Sequence, residues 1–224
     1  HKEEKFTMKL KKIASLALAG VMAVSMLTAC GGKTVNDGEN NNGSVVVPTS
    51  SIVTAVNNGQ DATNDVKIEF TSDASLDAAL TKAVDAIGEY PATFGLNWQM
   101  KRLTGMEIGF DTMLGDKDSK HDELIKMDGN KMERFEAFPL MSKFADKAAA
   151  EKAAAKYIDK EIVSKLDDTT LTEKTQYNKK YADLAYTGSV SMVSATANDG
   201  TVNYYVAVVI TRTVNVKTLK PAEA

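Results

Sequence analysis

Hydrophobic and polar residues alternate along this chain in patterns that predict short strands and helices after residue 65. Val66–Phe70 alternates with the period of two that a strand requires. The apolar positions of Ser75–Ile87 instead recur at helical spacing and form one stripe. Ser72 or Asp73 is placed to cap this helix, and Gly88 to end it. The folded region therefore begins with a strand followed by an amphipathic helix.

The middle of the chain predicts four further short elements. They are a short helix capped by Asn97 and running to Leu103, a strand at Met106–Met113, a helix at Ser119–Met127 and a strand at Lys131–Phe138. Gly105 and the pair Asp128-Gly129 are turn signals between them. Ser119 and Asp122 have the spacing of a capping box at the start of the third helix.

The longest predicted helix is Asp146–Leu166. Its first half is rich in alanine, the residue with the highest helix propensity. Ile158, Ile162 and Leu166 follow at steps of four and extend an apolar stripe. Glu161 precedes Lys165 by four residues, which is the favourable order for a salt bridge on a helix.

The C-terminal part is predicted to be β-structure. Leu171–Tyr177 alternates, and two longer runs, Leu184–Thr196 and Val202–Val214, flank an Asp-Gly pair that is a strong hairpin signal. The second run is apolar on both faces, as a central strand is. This order of elements predicts an α+β fold with a mostly antiparallel sheet, a C-terminal hairpin and helices packed on one face.

The segment Met8–Cys30 carries the clearest functional signal. Lys9, Lys11 and Lys12 precede an apolar run of about 15 residues, which is shorter than the roughly 20 residues of a spanning helix. A positive front, a short apolar run and small residues at its end are typical of a secretory signal peptide.

The last four residues of this segment resemble the lipobox of bacterial lipoproteins. Leu27, Thr28, Ala29 and Cys30 match its order of an aliphatic residue, two small residues and cysteine. The resemblance implies that diacylglycerol is joined to the Cys30 thiol, that a peptidase cuts before it, and that the protein is anchored at the outer face of the bacterial cytoplasmic membrane, in a Gram-positive cell. Cys30 is the only cysteine, so it forms no intramolecular disulfide.

These signals divide the chain into four predicted segments. Residues 1–7 are a translated leader and residues 8–29 the signal peptide. Residues 30–64, rich in Gly, Asn and Ser, are a flexible tether, with Val45–Val47 and Ile52–Val53 as parts that could dock as a strand. Residues 65–224 are expected to form a single soluble α+β domain.

The charge of the mature chain restricts its partners. Residues 30–224 contain 22 basic and 28 acidic side chains, a net charge of −6. This acidic balance argues against nucleic acid, which requires a basic surface. The expected partners are therefore the membrane, through the lipid, and an envelope protein or small ligand.

The acidic run around His121 is the nearest approach to a metal site. Asp116, Asp118 and Asp122 are the candidate ligands, yet a calcium loop begun at Asp116 would need glycine where His121 stands and glutamate where Met127 stands. We interpret the run as a solvated helix start, and expect no metal, no cofactor and no identifiable catalytic residue.

Three aromatic residues, Tyr90, Phe94 and Trp98, recur at steps of four. They could line a groove for a peptide or glycan, but this spacing is also that of a buried helix face, and core packing is the interpretation we favour. The sequence thus indicates a lipid-anchored binding or interaction lipoprotein of unknown ligand. The alternative is a cell-wall hydrolase, or another envelope enzyme, that uses carboxylates.

Overall fold

A computed structural model describes residues 47–48, 51–88, 93–111, 113, 117–170 and 179–219. It confirms the α+β class. The helices are α1 (Ser51–Gly59), α2 (Ala74–Ile87), α3 (Thr93–Thr104), α4 (Lys117–Leu124) and α5 (Lys147–Tyr157). The strands are β1 (Val47–Pro48), β2 (Phe70–Thr71), β3 (Glu107–Ile108), β4 (Lys131–Leu140), β5 (Lys180–Thr196) and β6 (Val202–Thr218).

The strands form one mixed sheet, in the order β1-β5-β6-β4-β3, with β2 also paired to β5. The pairs β1–β5, β5–β6 and β4–β6 are antiparallel, whereas β2–β5 and β3–β4 are parallel. The prediction of a mostly antiparallel sheet is therefore wrong. Both parallel partners are two-residue strands, and an alternating pattern in the sequence does not show whether a strand pairs parallel or antiparallel.

The predicted C-terminal hairpin is confirmed and is longer than expected. β5 and β6 pair in an unbroken register from Thr196–Val202 at the turn to Lys180–Thr218 at the far end. At about 3.3 Å per residue, each 17-residue strand is roughly 55 Å long. The sheet therefore extends beyond the helices that cover its centre.

Both faces of β6 are buried, and helices cover both of them. Val206, Val208 and Ile210 contact α1 and α5 on one face, which we call the α5 face. The alternate residues of β6 contact α2 and α3 on the other, the α2 face. The expectation that the helices pack on one face is therefore wrong.

The α5 face includes a helix that the sequence did not predict. Ile52 and Val56 of α1 are buried against Ala154 and Ile158. The predicted tether therefore cannot extend to residue 64, and Ile52–Val53 lies in a helix where a strand was considered. A nine-residue helix that contains two Val, an Ile and a Thr and ends in Asn-Asn-Gly has little intrinsic propensity, so its packing against α5 must stabilise it.

On the α2 face, several local predictions are confirmed. Asp73 caps α2, accepting hydrogen bonds from the backbone nitrogens of Ser75 and Leu76 at 2.7 and 3.2 Å. Gly88 ends the helix with a positive φ of 67°. Asn97, however, is not a cap: it is buried inside α3, and its Oδ1 accepts a hydrogen bond from Ala137 N at 2.8 Å.

The long helix begins as predicted, at a cap formed by Asp146. It continues past α5 as a π turn at Ile158–Ile162 and a 3₁₀ turn at Val163–Lys165. Two predicted strands are much shorter than expected: Val66–Phe70 contributes only β2, and Met106–Met113 only β3. The predicted strand Leu171–Tyr177 lies outside the described residues.

The outer edge of β5 is paired at three separate places. Asp183 bridges to Thr169, Gly188–Ser189 pairs with β2, and Val193–Ser194 pairs with β1. A Cβ atom on Gly188 would lie 2.6 Å from the ring of Phe70. This close approach requires glycine, because a methyl group there would overlap the ring of Phe70, which anchors β2.

Candidate functional site

The candidate site is a groove at the end of the helix layer on the α2 face. Its volume is about 450 Å³, within the usual range for small-molecule sites. The start of α2, the end of α3 and the sheet surface enclose it. The lining residues are Thr71, Asp73, Ser75, Leu76, Ala79, Leu103, Thr104, Met106, Glu133, Thr187, Gly188, Ser189, Val209 and Thr211. We call it the α2–α3 groove.

The floor of this groove is polar because side chains alternate between the two faces of each strand. Glu133, Thr187 and Thr211 lie on the same side of the sheet, because Thr211 is the register partner of both other residues. Ser189, two positions further along β5, continues the row. The floor is thus a set of hydroxyls and one carboxylate where β5 and β6 emerge from beneath α2 and α3.

Three groove hydroxyls already donate their protons within the protein. Thr71 Oγ1 donates to the Gly188 carbonyl at 3.3 Å, and Thr104 Oγ1 to the Met100 carbonyl at 2.8 Å. Thr211 Oγ1 donates to Glu133 Oε1 at 3.3 Å. A hydroxyl whose proton is used in this way offers a ligand only its lone pairs. These groups therefore act as acceptors.

The charged groups of the groove are also hydrogen-bond acceptors. Asp73 and Glu133 both line it, and no Lys, Arg or His is among its described lining residues. The Asp73 carboxylate neutralises the positive end of α2, which would otherwise favour an anion. The groove therefore suits a ligand that brings N–H donors or positive charge.

A second groove, of about 700 Å³, lies between α1 and α5. Its two carboxylates are already engaged: Glu151 binds Ser51 and Lys147, and Asp159 accepts hydrogen bonds from Asp61 N and Asn64 Nδ2. Small residues at the helix contact create this depression. This second groove offers few polar groups to orient a ligand, so we consider the α2–α3 groove the better candidate for a binding site.

The aromatic residues of α3 do not pack in the core. Phe94 is 84% exposed and Trp98 54% exposed, while Leu96 and Met100 form the buried side of the helix. Tyr90 lies outside the described residues. The favoured core interpretation is therefore wrong for Phe94 and Trp98, and α3, which borders the groove through Leu103, also presents an aromatic surface.

His121 lies in the interior, which corrects the solvated interpretation of its segment. It is fully buried, and its Nδ1 lies 3.0 Å from the carbonyl oxygen of Thr170. A carbonyl can only accept, so the ring donates from Nδ1. Asp122 is exposed, Asp116 lies outside the described residues, and only the backbone of Asp118 is described. Within the described residues, no group of three potential metal ligands is found.

We predict that metal ions do not stabilise this protein. EDTA should leave its melting temperature unchanged, and calcium should not raise it, because the acidic run lacks the glycine and final glutamate of a calcium loop. Differential scanning calorimetry measures this directly. A calcium-dependent rise that disappears in the double variant Asp116→Asn, Asp118→Asn would contradict the prediction and make residues 111–123 a metal site.

A carboxyl group with a raised pKa is found outside the groove. Burial raises the pKa of Glu136, and the hydrogen bond from Tyr157 partly opposes this shift. Glu136 lies on the α5 face, whereas Glu133, three residues earlier, faces the groove. The side chain best suited to act as a general acid is thus separated from the groove by the sheet.

No helix among the described residues is both long and apolar enough to span a bilayer. Comparison of the chain with protein-family models, with curated proteins and with solved structures finds no match.

Proposed function

We propose that this protein is a lipid-anchored, extracytoplasmic binding lipoprotein of the bacterial cell envelope, and that the α2–α3 groove is its ligand site. The lipobox-like residues ending at Cys30 support the location. The observation that carries the binding role is the acceptor character of the groove, in which two carboxylates and lone pairs of hydroxyls converge. The ligand class is an amine or a peptide segment with N–H donors and positive charge.

The test is photo-crosslinking in intact cells with a photoreactive amino acid at Thr187, an exposed groove residue. We expect an adduct of defined mass that is absent when the same amino acid replaces Thr218, an exposed residue at the far end of the hairpin. Charge reversal by Glu133→Lys should suppress the adduct. Asp85→Lys makes the same change of charge at an exposed position on α2 and should preserve it.

Two outcomes would refute the binding role of the groove. One is equal labelling from Thr187 and Thr218, which would indicate random encounters. The other is equal suppression by Glu133→Lys and Asp85→Lys, which would indicate a general effect of net charge.

The second candidate is an envelope hydrolase, favoured by the presence of Asp73 and Glu133 in one groove. Against it, the Asp73 carboxylate is engaged by two backbone N–H groups of α2. Purified peptidoglycan provides the test: release of soluble fragments by the wild-type protein, lost in Glu133→Gln, would replace the binding proposal with this one.

A further inference from the structure

Arg212 is a buried cation on the α5 face, away from the α2–α3 groove. It lies on β6 with 2% of its surface exposed. Tyr186 on β5 and Met132 on β4 are its register partners on either side. Arginine is seldom buried to this extent unless a carboxylate or another acceptor pairs with it.

The guanidinium has unused donors on one particular edge. Nε and Nη2 point their N–H groups in the same direction and together hold the two oxygens of a carboxylate or phosphate. Here Nη2 lies 3.8 Å from the sulfur of Met132, a weak acceptor, and Nε has no hydrogen-bond partner. No ion pair links Arg212 to a carboxylate of the described residues.

No described residue accepts a hydrogen bond from Arg212 Nε. The Tyr186 hydroxyl, on the neighbouring strand, donates its proton to the carbonyl oxygen of Asp167 at 2.9 Å, and its oxygen makes no hydrogen bond to Arg212 Nε. Burial lowers the pKa of Arg212, Tyr186 partly opposes this shift, and the positive charge of Arg134 adds to it. Burial and the charge of Arg212 also lower the pKa of Lys120, whereas the carboxylates of Glu123, Asp167 and Asp111 raise it. The Nε–H group of the buried guanidinium therefore stays without an acceptor among the described residues.

We propose that the Nε–Nη2 edge of Arg212 binds a small oxyanion, either a carboxylate or a phosphate group. The anion would accept two parallel hydrogen bonds and displace the sulfur of Met132 from Nη2. Met132 is partly exposed and its side chain is unbranched, so a change of rotamer can open this edge to solvent. The site is independent of the α2–α3 groove, which lies on the other face of the sheet.

The full-length protein, purified in mild detergent, provides the test. Its melting temperature is measured in sodium phosphate, sulfate and acetate, each at the ionic strength of a sodium chloride reference. We expect a saturable rise of about 3–6 °C at ten times the dissociation constant of the preferred anion. A larger response to phosphate and sulfate would identify a phosphate-like ligand, and a larger response to acetate a carboxylate.

Three variants separate a binding role from a structural one. Arg212→Met removes the unpaired charge, so we expect a higher melting temperature than wild type in chloride and no saturable anion response. Arg212→Lys keeps a charge but lacks the paired donors, and should bind the anion at least about tenfold more weakly. Arg102→Met removes an exposed arginine of α3 and should respond as wild type does.

The proposal fails if all four anions give the same melting temperature in the wild-type protein. It also fails if Arg212→Met shows the same anion-dependent rise as wild type, because sulfate and phosphate also stabilise proteins by exclusion from their surfaces. Should Arg212→Met not fold, Arg212→Lys decides the question: an unchanged dissociation constant in that variant would overturn the assignment.

Discussion

Replacing Ile162 with alanine is expected to lower the free energy of unfolding by about 2–5 kcal/mol. Ile162 is 1% exposed and belongs to the π turn that follows α5. It packs into the core of the α5 face, so truncation both removes apolar contact and leaves a cavity. Denaturant unfolding, followed by circular dichroism, gives the value from the shift in midpoint.

Lys156→Ala is the matched control, because it makes a truncation on the exposed side of the same helix. Its effect should stay within about 0.5 kcal/mol. Similar small losses at both positions would show that the helix after Asp146 does not pack on the sheet as described.

Replacing Cys30 with serine is expected to move the protein from the membrane fraction to the soluble fraction. The proposed anchor is the lipid on this thiol, and each buried CH₂ group contributes about 0.8 kcal/mol to membrane binding. A single acyl chain holds a protein only marginally, whereas two chains hold it stably. Serine accepts no thioether-linked lipid, so the whole contribution is lost at once.

Fractionation of cells expressing the wild-type and variant chains, with immunodetection, measures the change. Thr28→Ser is the control, since it keeps a small residue at the same place in the lipobox-like motif. The lipoprotein proposal would be wrong if the Cys30→Ser product stayed in the membrane fraction after its signal peptide had been cut.

Local signals in the sequence predicted local structure well. Ser72 or Asp73 was predicted to cap α2, the long helix was predicted to begin at Asp146, and the Asp-Gly turn between β5 and β6 was predicted from two residues, because each of these features depends on neighbours in the chain. The salt bridge from Lys165 to Glu161, 2.8 Å long, has the same local origin.

The predictions that proved wrong concern contacts between distant parts of the chain. In α3, Phe94 and Trp98 are four residues apart, but so are Leu96 and Met100. Spacing alone cannot decide which of the two stripes is buried. The structure resolves this through the amide of Asn97, which binds the β4 backbone and so turns Leu96 and Met100 inward.

For the same reason, the sequence could not predict the α2–α3 groove or the burial of Arg212. Asp73, Glu133 and Thr187 are separated by more than 50 residues at each step, and only the sheet register brings them together. Arg212 lies on the same face of β6 as Val208 and Ile210, but arginine side chains are mostly exposed, so its burial is not expected from its residue type. Its burial follows from the packing around it.

The three pairings along the outer edge of β5 have a consequence for aggregation. An open strand edge is a template for another chain, and long edges promote fibril formation and domain swapping. Between the contacts of Asp183, Gly188–Ser189 and Val193–Ser194, the stretches of this edge that pair with no described residue are only three to four residues long. Tethering proteins to a bilayer raises their local concentration. In the lipid-anchored form that we propose, these short partners would thus prevent neighbouring copies from pairing along β5, although β5 itself is 17 residues long.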